Sequence, residues 1–113
     1  MSLHFTHKKG DTFDQVEFQV KINAIVVNLT GATIRMQLRK TYDDSVAALS
    51  LTSVSSAGIT ITNAAEGRFK INTQIIDIPV YNYVYDIQIT LADGTVKSSW
   101  VYGGFNITNE VTR

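Results

Sequence analysis

An all-β domain, an antiparallel β-sandwich of about seven to nine short strands, is what this sequence predicts, and three observations predict it. Polar and apolar residues alternate through Ile34-Arg35-Met36-Gln37-Leu38-Arg39 and again from Tyr83 to Thr90. A period of two turns alternate side chains to opposite faces, which describes a half-buried strand with one oily and one wet side. Turn chemistry then recurs between such segments, as in Asn28-Leu29-Thr30-Gly31, Asn63-Ala64-Ala65-Glu66-Gly67 and Ala92-Asp93-Gly94. The alternation fills most of the chain and leaves little room for helices. A barrel is the second architecture compatible with the same pattern.

In chain order, Leu3 to His7 reads as a short first strand, closed by a Lys8-Lys9-Gly10-Asp11 turn. Val16, Phe18, Val20 and Ile22 alternate with Glu17, Gln19 and Lys21, which predicts a second strand with an aliphatic and aromatic inner face. Asn23-Ala24 breaks it before a brief extended run at Ile25-Val26-Val27. The strand from Ala32 to Lys40 follows, then a polar loop over Thr41-Tyr42-Asp43-Asp44-Ser45. Val46 to Thr52 resumes extended structure, and Ser53 to Gly58 is a loop. Ile59 to Ile61 and Arg68 to Asn72 make a hairpin.

Thr73 to Asp77 is the one place with a helical signal, since Thr73 can cap a single turn and Pro79 stops it. Tyr83 to Leu91 and Thr95 to Thr108 form the last hairpin through Asp93-Gly94. Trp100 and Tyr102 share one parity while Phe105 and Ile107 share the other. Keeping all four inward requires an extra residue, which a β-bulge at Gly103-Gly104 would supply. The expected core is Phe18, Val20, Ile22, Ile34, Met36, Leu38, Ile61, Phe69, Ile71, Tyr85, Ile87, Ile89 and Trp100.

A length of 113 residues fits a single domain over 1–113, and 44% hydrophobic residues argue for a folded core without staples. Ten basic and ten acidic residues cancel. Nucleic-acid binders carry a basic surplus that tracks phosphates, so no nucleic-acid partner is expected. Zero net charge leaves little repulsion between copies. The absence of cysteine excludes thiol catalysis, disulfides, iron–sulfur clusters and cysteine-rich zinc sites. The first residues do not read as a signal peptide, and no run approaches the roughly 20 apolar residues of a membrane span. Residence in a cytoplasm or assembly into something there, and no membrane partner, are the corresponding expectations; the initial Met favours a complete short protein over the alternative, a domain cut from something larger.

Chemistry-bearing clusters are scarce. His4 and His7 are the only histidines, and a spacing of three puts them on opposite faces of a strand; no metal site is expected there. Asp43-Asp44 lacks the ligand spacing of a calcium loop and reads as a polar turn. No phosphate loop, nucleophile elbow, Ser-His-Asp pattern or outstanding pair of carboxylates is present, so neither a catalytic residue nor a cofactor is expected. Asn28-Leu29-Thr30 and Asn106-Ile107-Thr108 match the glycan-acceptor pattern, but without a secretory signal they have no route to use. The polar rows Glu17/Gln19/Lys21, Arg35/Gln37/Arg39 and Asp86/Gln88/Thr90 read as solvated sheet faces. The candidate interface residues are Tyr81, Trp100 and Tyr102, in a late cluster of aromatics of the kind that anchors protein contacts or stacks on sugar rings. Tyr81, beside Pro79, is the best placed of them.

Several pieces in order carry a family resemblance: Gly10-Asp11-Thr12, the segment Leu29-Thr30-Gly31-Ala32-Thr33-Ile34-Arg35-Met36-Gln37-Leu38-Arg39, Gly58-Ile59-Thr60-Ile61, Glu66-Gly67-Arg68-Phe69, Tyr83-Val84-Tyr85-Asp86-Ile87 and Gly104-Phe105-Asn106-Ile107-Thr108. Together they resemble small structural proteins of tailed bacteriophages and prophages, and the N-terminal module of phage baseplate upper proteins. The resemblance implies an immunoglobulin-like sandwich that serves as a virion building block in the tail, baseplate or neck. It implies work by protein–protein association, with other virion proteins and with copies of itself as partners. Baseplate proteins of this type continue into a stalk or receptor-binding part, whereas this chain stops at Arg113. The residues alone leave a second class open, a carbohydrate-binding or adhesin module that uses the late-chain aromatics, with an enzyme a distant third.

Overall fold

The alternation becomes twelve strands in the computed structural model, which describes residues 2–109. They are β1 (Phe5–Lys8), β2 (Thr12–Phe13), β3 (Val16–Gln19), β4 (Lys21–Ile22), β5 (Ile25–Val26), β6 (Thr33–Arg39), β7 (Leu49–Thr52), β8 (Ile59–Asn63), β9 (Arg68–Ile71), β10 (Gln74–Ile75), β11 (Tyr81–Thr90) and β12 (Val96–Thr108). Eight have four residues or more, within the expected seven to nine; of the four two-residue pairings, β4 lies at the end of the expected second strand, β5 in the expected brief extended run, β10 in the segment with the helical signal, and β2 just after the Lys8 to Asp11 turn. The main sheet has the order β1-β12-β11-β6-β7, antiparallel except where β1 runs parallel to β12. A three-stranded antiparallel sheet has the order β3-β9-β8, while β2 pairs with β10 and β4 with β5. The fold is all-β and built from several sheets.

One core joins the two larger sheets. The inward row of β6 (Ile34, Met36, Leu38) and that of β11 (Tyr83, Tyr85, Ile87, Ile89) are buried against Phe18, Ile59, Phe69 and Ile71 from the other sheet. Phe18 and Phe69 stack with ring centroids 5.2 Å apart, and Trp100 meets both at 6.2 and 6.0 Å. Tilted and edge-to-face rings of this kind add about 0.5–1.5 kcal/mol per pair beyond burial. Both expected hairpins form, and Asp93 closes the last turn by accepting the Thr95 N–H at 2.8 Å. That bond also holds the Asp93 carboxyl below its usual range.

Four local expectations give way. The helical turn at Thr73 to Asp77 is instead β10, because Gln74 and Ile75 pair with Phe13 and Thr12 and the Thr73 hydroxyl accepts the Gln15 N–H at 3.1 Å rather than capping a helix. A short 3-10 turn lies at Val54–Ser56, with Ser55 and Ser56 at positive φ. The second strand ends at Gln19, so Ile22 leaves the core and is 42% exposed. The bulge lies before Gly103-Gly104: Ile87 faces Val101 while Ile89 faces Lys97, so β12 uses four steps where β11 uses two. This brings Trp100 against Phe18 and Phe69 half-buried, and Tyr102 points outward while Val101, Phe105 and Ile107 are buried. Ile61 is only partly buried, and Phe13, Leu29, Leu51, Ile59 and Ile76 join the core unannounced.

Two buried tyrosines tie chain segments together. Tyr83 donates to the Pro79 carbonyl at 2.7 Å, and Tyr85 donates to the Leu3 carbonyl at 2.6 Å. Burial pushes both phenols above their ordinary value, with smaller contributions from Tyr81 on Tyr83 and from Tyr42 on Tyr85. A folded-state value above the unfolded one means that the folded chain holds these protons more tightly. Their stabilisation is therefore complete below about pH 10 and is lost as pH rises towards the folded values. Urea melts from about pH 8 upward should show a midpoint that falls beyond about pH 10, and a shallower fall in Tyr85→Phe. An equally steep fall in that variant would assign the alkaline loss to other groups.

Candidate functional site

The three aromatic candidates occupy three different places. Tyr81 ends the inward row of β11 beyond the core; it is 43% exposed, with its ring 5.3 Å from Tyr83 and Lys40 Nζ 5.3 Å above its centroid. Tyr102 is 42% exposed and lies on the opposite, outer face of the main sheet, across from Asp86. Trp100 is engaged with Phe18 and Phe69 in the core. They form no shared stacking platform. Tyr102 and Tyr81 remain available for contacts at separate positions.

A second feature was not singled out in the sequence. After Val20, whose N–H bonds the Gly67 carbonyl at 2.8 Å, the chain leaves the core and makes the β4–β5 hairpin. Asn23 and Ala24 both take positive φ, the geometry that matches a two-residue turn to the twist of its strands. At the base, Gly67 is required: at φ +68, a Cβ there would lie 2.5 Å from the Val27 carbonyl and 2.9 Å from that of Val20. All six residues from Lys21 to Val26 are exposed, with Ile22, Ile25 and Val26 at 42, 71 and 37%. Strand alternation alone gave no sign of this, because Ile22 keeps the parity of buried Phe18 and Val20.

The outer face of the main sheet carries the third feature. Register places Arg35 opposite Gln88, Gln37 opposite Asp86 and Arg39 opposite Val84, so two of the polar rows seen in the sequence lie side by side. Arg39 is held in place, donating to the Asp44 carbonyl at 2.6 Å and to Gln37 Oε1 at 2.5 Å. Tyr42 returns over the sheet, its hydroxyl 3.5 Å from the Gly103 carbonyl, and walls an open groove of about 200 Å³. A more apolar depression of about 440 Å³ adjoins it, sharing Arg35 and Gln37. The single aromatic within a polar loop is the only trace of this wall in the sequence.

The histidines act as backbone partners. His4 Nδ1 accepts the Gly104 N–H at 2.8 Å, and His7 Nε2 donates to the Asp11 carbonyl at 2.9 Å. Asp44 Oδ1 accepts the Val46 N–H at 3.0 Å, the bond of a polar turn. Among the described residues no group of three His, Cys, Asp or Glu is placed to hold a metal ion, and no helix is long and apolar enough to cross a membrane. Neither a protein-family model nor a curated protein matches this chain.

Proposed function

We propose that this protein is a non-enzymatic structural component of a tailed-phage or prophage virion, an adaptor of the tail, baseplate or neck. It assembles in the bacterial cytoplasm and acts by binding other virion proteins and copies of itself. Support for an immunoglobulin-like sandwich comes from strand order: β12-β11-β6-β7 and β3-β9-β8 correspond to the G-F-C-C′ and B-E-D arrangements of that fold. The Tyr83 hydroxyl bonded four residues back to Pro79, at the start of β11, matches the tyrosine corner of such sandwiches.

The observation that carries the association reading is the β4–β5 hairpin. A two-stranded hairpin is at best marginally stable alone, and this one presents Ile22, Ile25 and Val26 to solvent instead of to the core. Paired apolar side chains on an exposed element, here Ile22 opposite Ile25, mark a contact surface, and the balanced charge of the chain leaves little repulsion to oppose one. Sedimentation over a concentration series, alone and with the other virion proteins of the same particle, is the test. The expected result is a self-assembled species or a stable complex that Ile25→Asp weakens at least about tenfold, a loss of about 1.4 kcal/mol, while leaving the thermal midpoint unchanged. A strict monomer that binds no virion protein would overturn the reading.

A further inference from the structure

Beyond the hairpin, we infer that the free edge of β7 is a self-recognition site, where the same edge of a second copy of this chain pairs antiparallel across a two-fold axis. The inference rests on the association reading for the premise that copies of the chain meet, and it adds a different surface. β7 is the last strand in the order β1-β12-β11-β6-β7. Backbone groups alternate in direction along a strand. Ser53 N–H donates to the Ile34 carbonyl on β6 at 2.9 Å, whereas Thr52 N–H points the other way and meets the Ala57 carbonyl at 2.9 Å. Ser50 shares the direction of Thr52, so its N–H and C=O face outward at the centre of the open stretch from Leu49 to Leu51. The edge offers backbone groups rather than a side-chain site.

Open edges invite pairing by other chains, and proteins blunt them with charge, proline or a bulge. The other outer strands of the two larger sheets carry such devices. Lys8 closes β1 and is followed by Lys9, β3 holds Glu17, and β8 shifts register between Ile61 and Asn63. β7 has none of these: residues 45–65, which include it, hold none of the ten basic and ten acidic residues of the chain. That neutrality points to the occupant. A two-fold contact sets each residue close to its own copy, so a charged edge repels itself and a neutral one does not. The side chains are self-complementary as well. Leu49 and Leu51 align with Leu38 and Met36 on the core side of the sheet, which leaves Ser50 and Thr52 on the wet side. In an antiparallel pair centred on Ser50, Leu49 stands opposite Leu51 of the second copy and Ser50 opposite its own counterpart. Half-buried Leu49 gains an apolar neighbour while the serines stay in water. A slip of one residue sets leucine against serine and loses both matches.

The test follows the intact chain from micromolar to millimolar concentration by sedimentation and by amide hydrogen exchange. A dimer is expected, with a Ser50 amide that exchanges freely when dilute and is protected when concentrated. Ser50→Lys sets two ammonium groups opposite each other and should weaken the dimer at least about tenfold. Ser50 is exposed, and the contact of its hydroxyl with Gln37 Nε2 is long at 3.4 Å, so an unchanged thermal midpoint is expected for the dilute variant. Ser50→Pro removes the outward N–H itself and should weaken the dimer as well; Ser50→Lys decides the matter where proline disturbs the strand. A Ser50 amide whose exchange does not change with concentration overturns the inference, as does a dimer that Ser50→Lys leaves intact. A dimer lost in Ile25→Asp and kept in Ser50→Lys belongs to the hairpin, and overturns the edge while leaving the association reading in place. A chain that stays monomeric yet binds another virion protein likewise overturns the edge alone.

Discussion

Gly103→Ala should destabilise the fold by roughly 2–6 kcal/mol, the sum of an overpacking cost and of leaving a buried hydroxyl without its partner. An added Cβ at Gly103 would lie 2.9 Å from the Leu3 carbonyl carbon, press on its oxygen and stand 3.2 Å from His4 Nδ1. The obstacle is backbone, which cannot swing away as a side chain can. Relief requires the N-terminal segment to lift from β12. Lifting it breaks the Leu3 N–H bond to the Tyr102 carbonyl at 2.9 Å and the Tyr85 hydroxyl bond to Leu3 at 2.6 Å. It also uncovers the ring cluster in which Phe5 meets Phe13, Tyr85 and Phe105 at 5.8, 5.5 and 5.1 Å. Hydrogen exchange should then show lost protection across residues 3–8 and increased exchange in β12, with a lower denaturant midpoint. Unchanged exchange in β1 would mean that the first strand does not depend on this glycine.

Ile87→Ala is the second large effect. Ile87 is fully buried at the centre of β11, between Val101 on one side and Met36 on the other. Removing its outer carbons loses transfer energy and leaves a cavity in a region where neighbouring strands prevent collapse, at a cost of roughly 2–5 kcal/mol. Arg35→Ala, on the outward row of the adjacent strand, should cost less than about 0.5 kcal/mol. Denaturant melts of the two variants give the comparison. The reverse ranking would mean that the faces of the main sheet are inverted.

Wherever one face of a strand is buried and the other wet, the sequence already carried the answer. Ile34, Met36 and Leu38 alternate with Arg35, Gln37 and Arg39, and Tyr85, Ile87 and Ile89 with Asp86 and Gln88; both sets lie as the alternation says. What escaped depended on contacts between distant segments. Thr73 looks like a helix cap until Gln15 reaches it from 58 residues away. Ile22 looks like core until the chain turns out of the sheet at Val20. Trp100 and Tyr102 share parity in the sequence and part company because the extra length in β12 falls between Lys97 and Val101, around Trp100, rather than at Gly103-Gly104. For the sites, the polar rows were legible as rows, yet their placement side by side needed the β6–β11 register, and Tyr42 needed its loop to fold back over the sheet.

The parallel pairing of β1 with β12 has a temporal consequence. Phe5 aligns with Phe105, and the Gly104 N–H bond to His4 spans 100 positions, so β1 leaves a ribosome well before the strand that completes it. During synthesis the antiparallel β6–β7 and β8–β9 ladders can close on nearby sequence, while the edge formed by Phe5 to Lys8 waits with its backbone unpaired. Contacts of such long separation slow folding into the millisecond-to-second range and leave the waiting segment open to capture by another chain. Where many copies are made at once, the order of translation sets how long each nascent β1 stays vulnerable to pairing with the wrong β12.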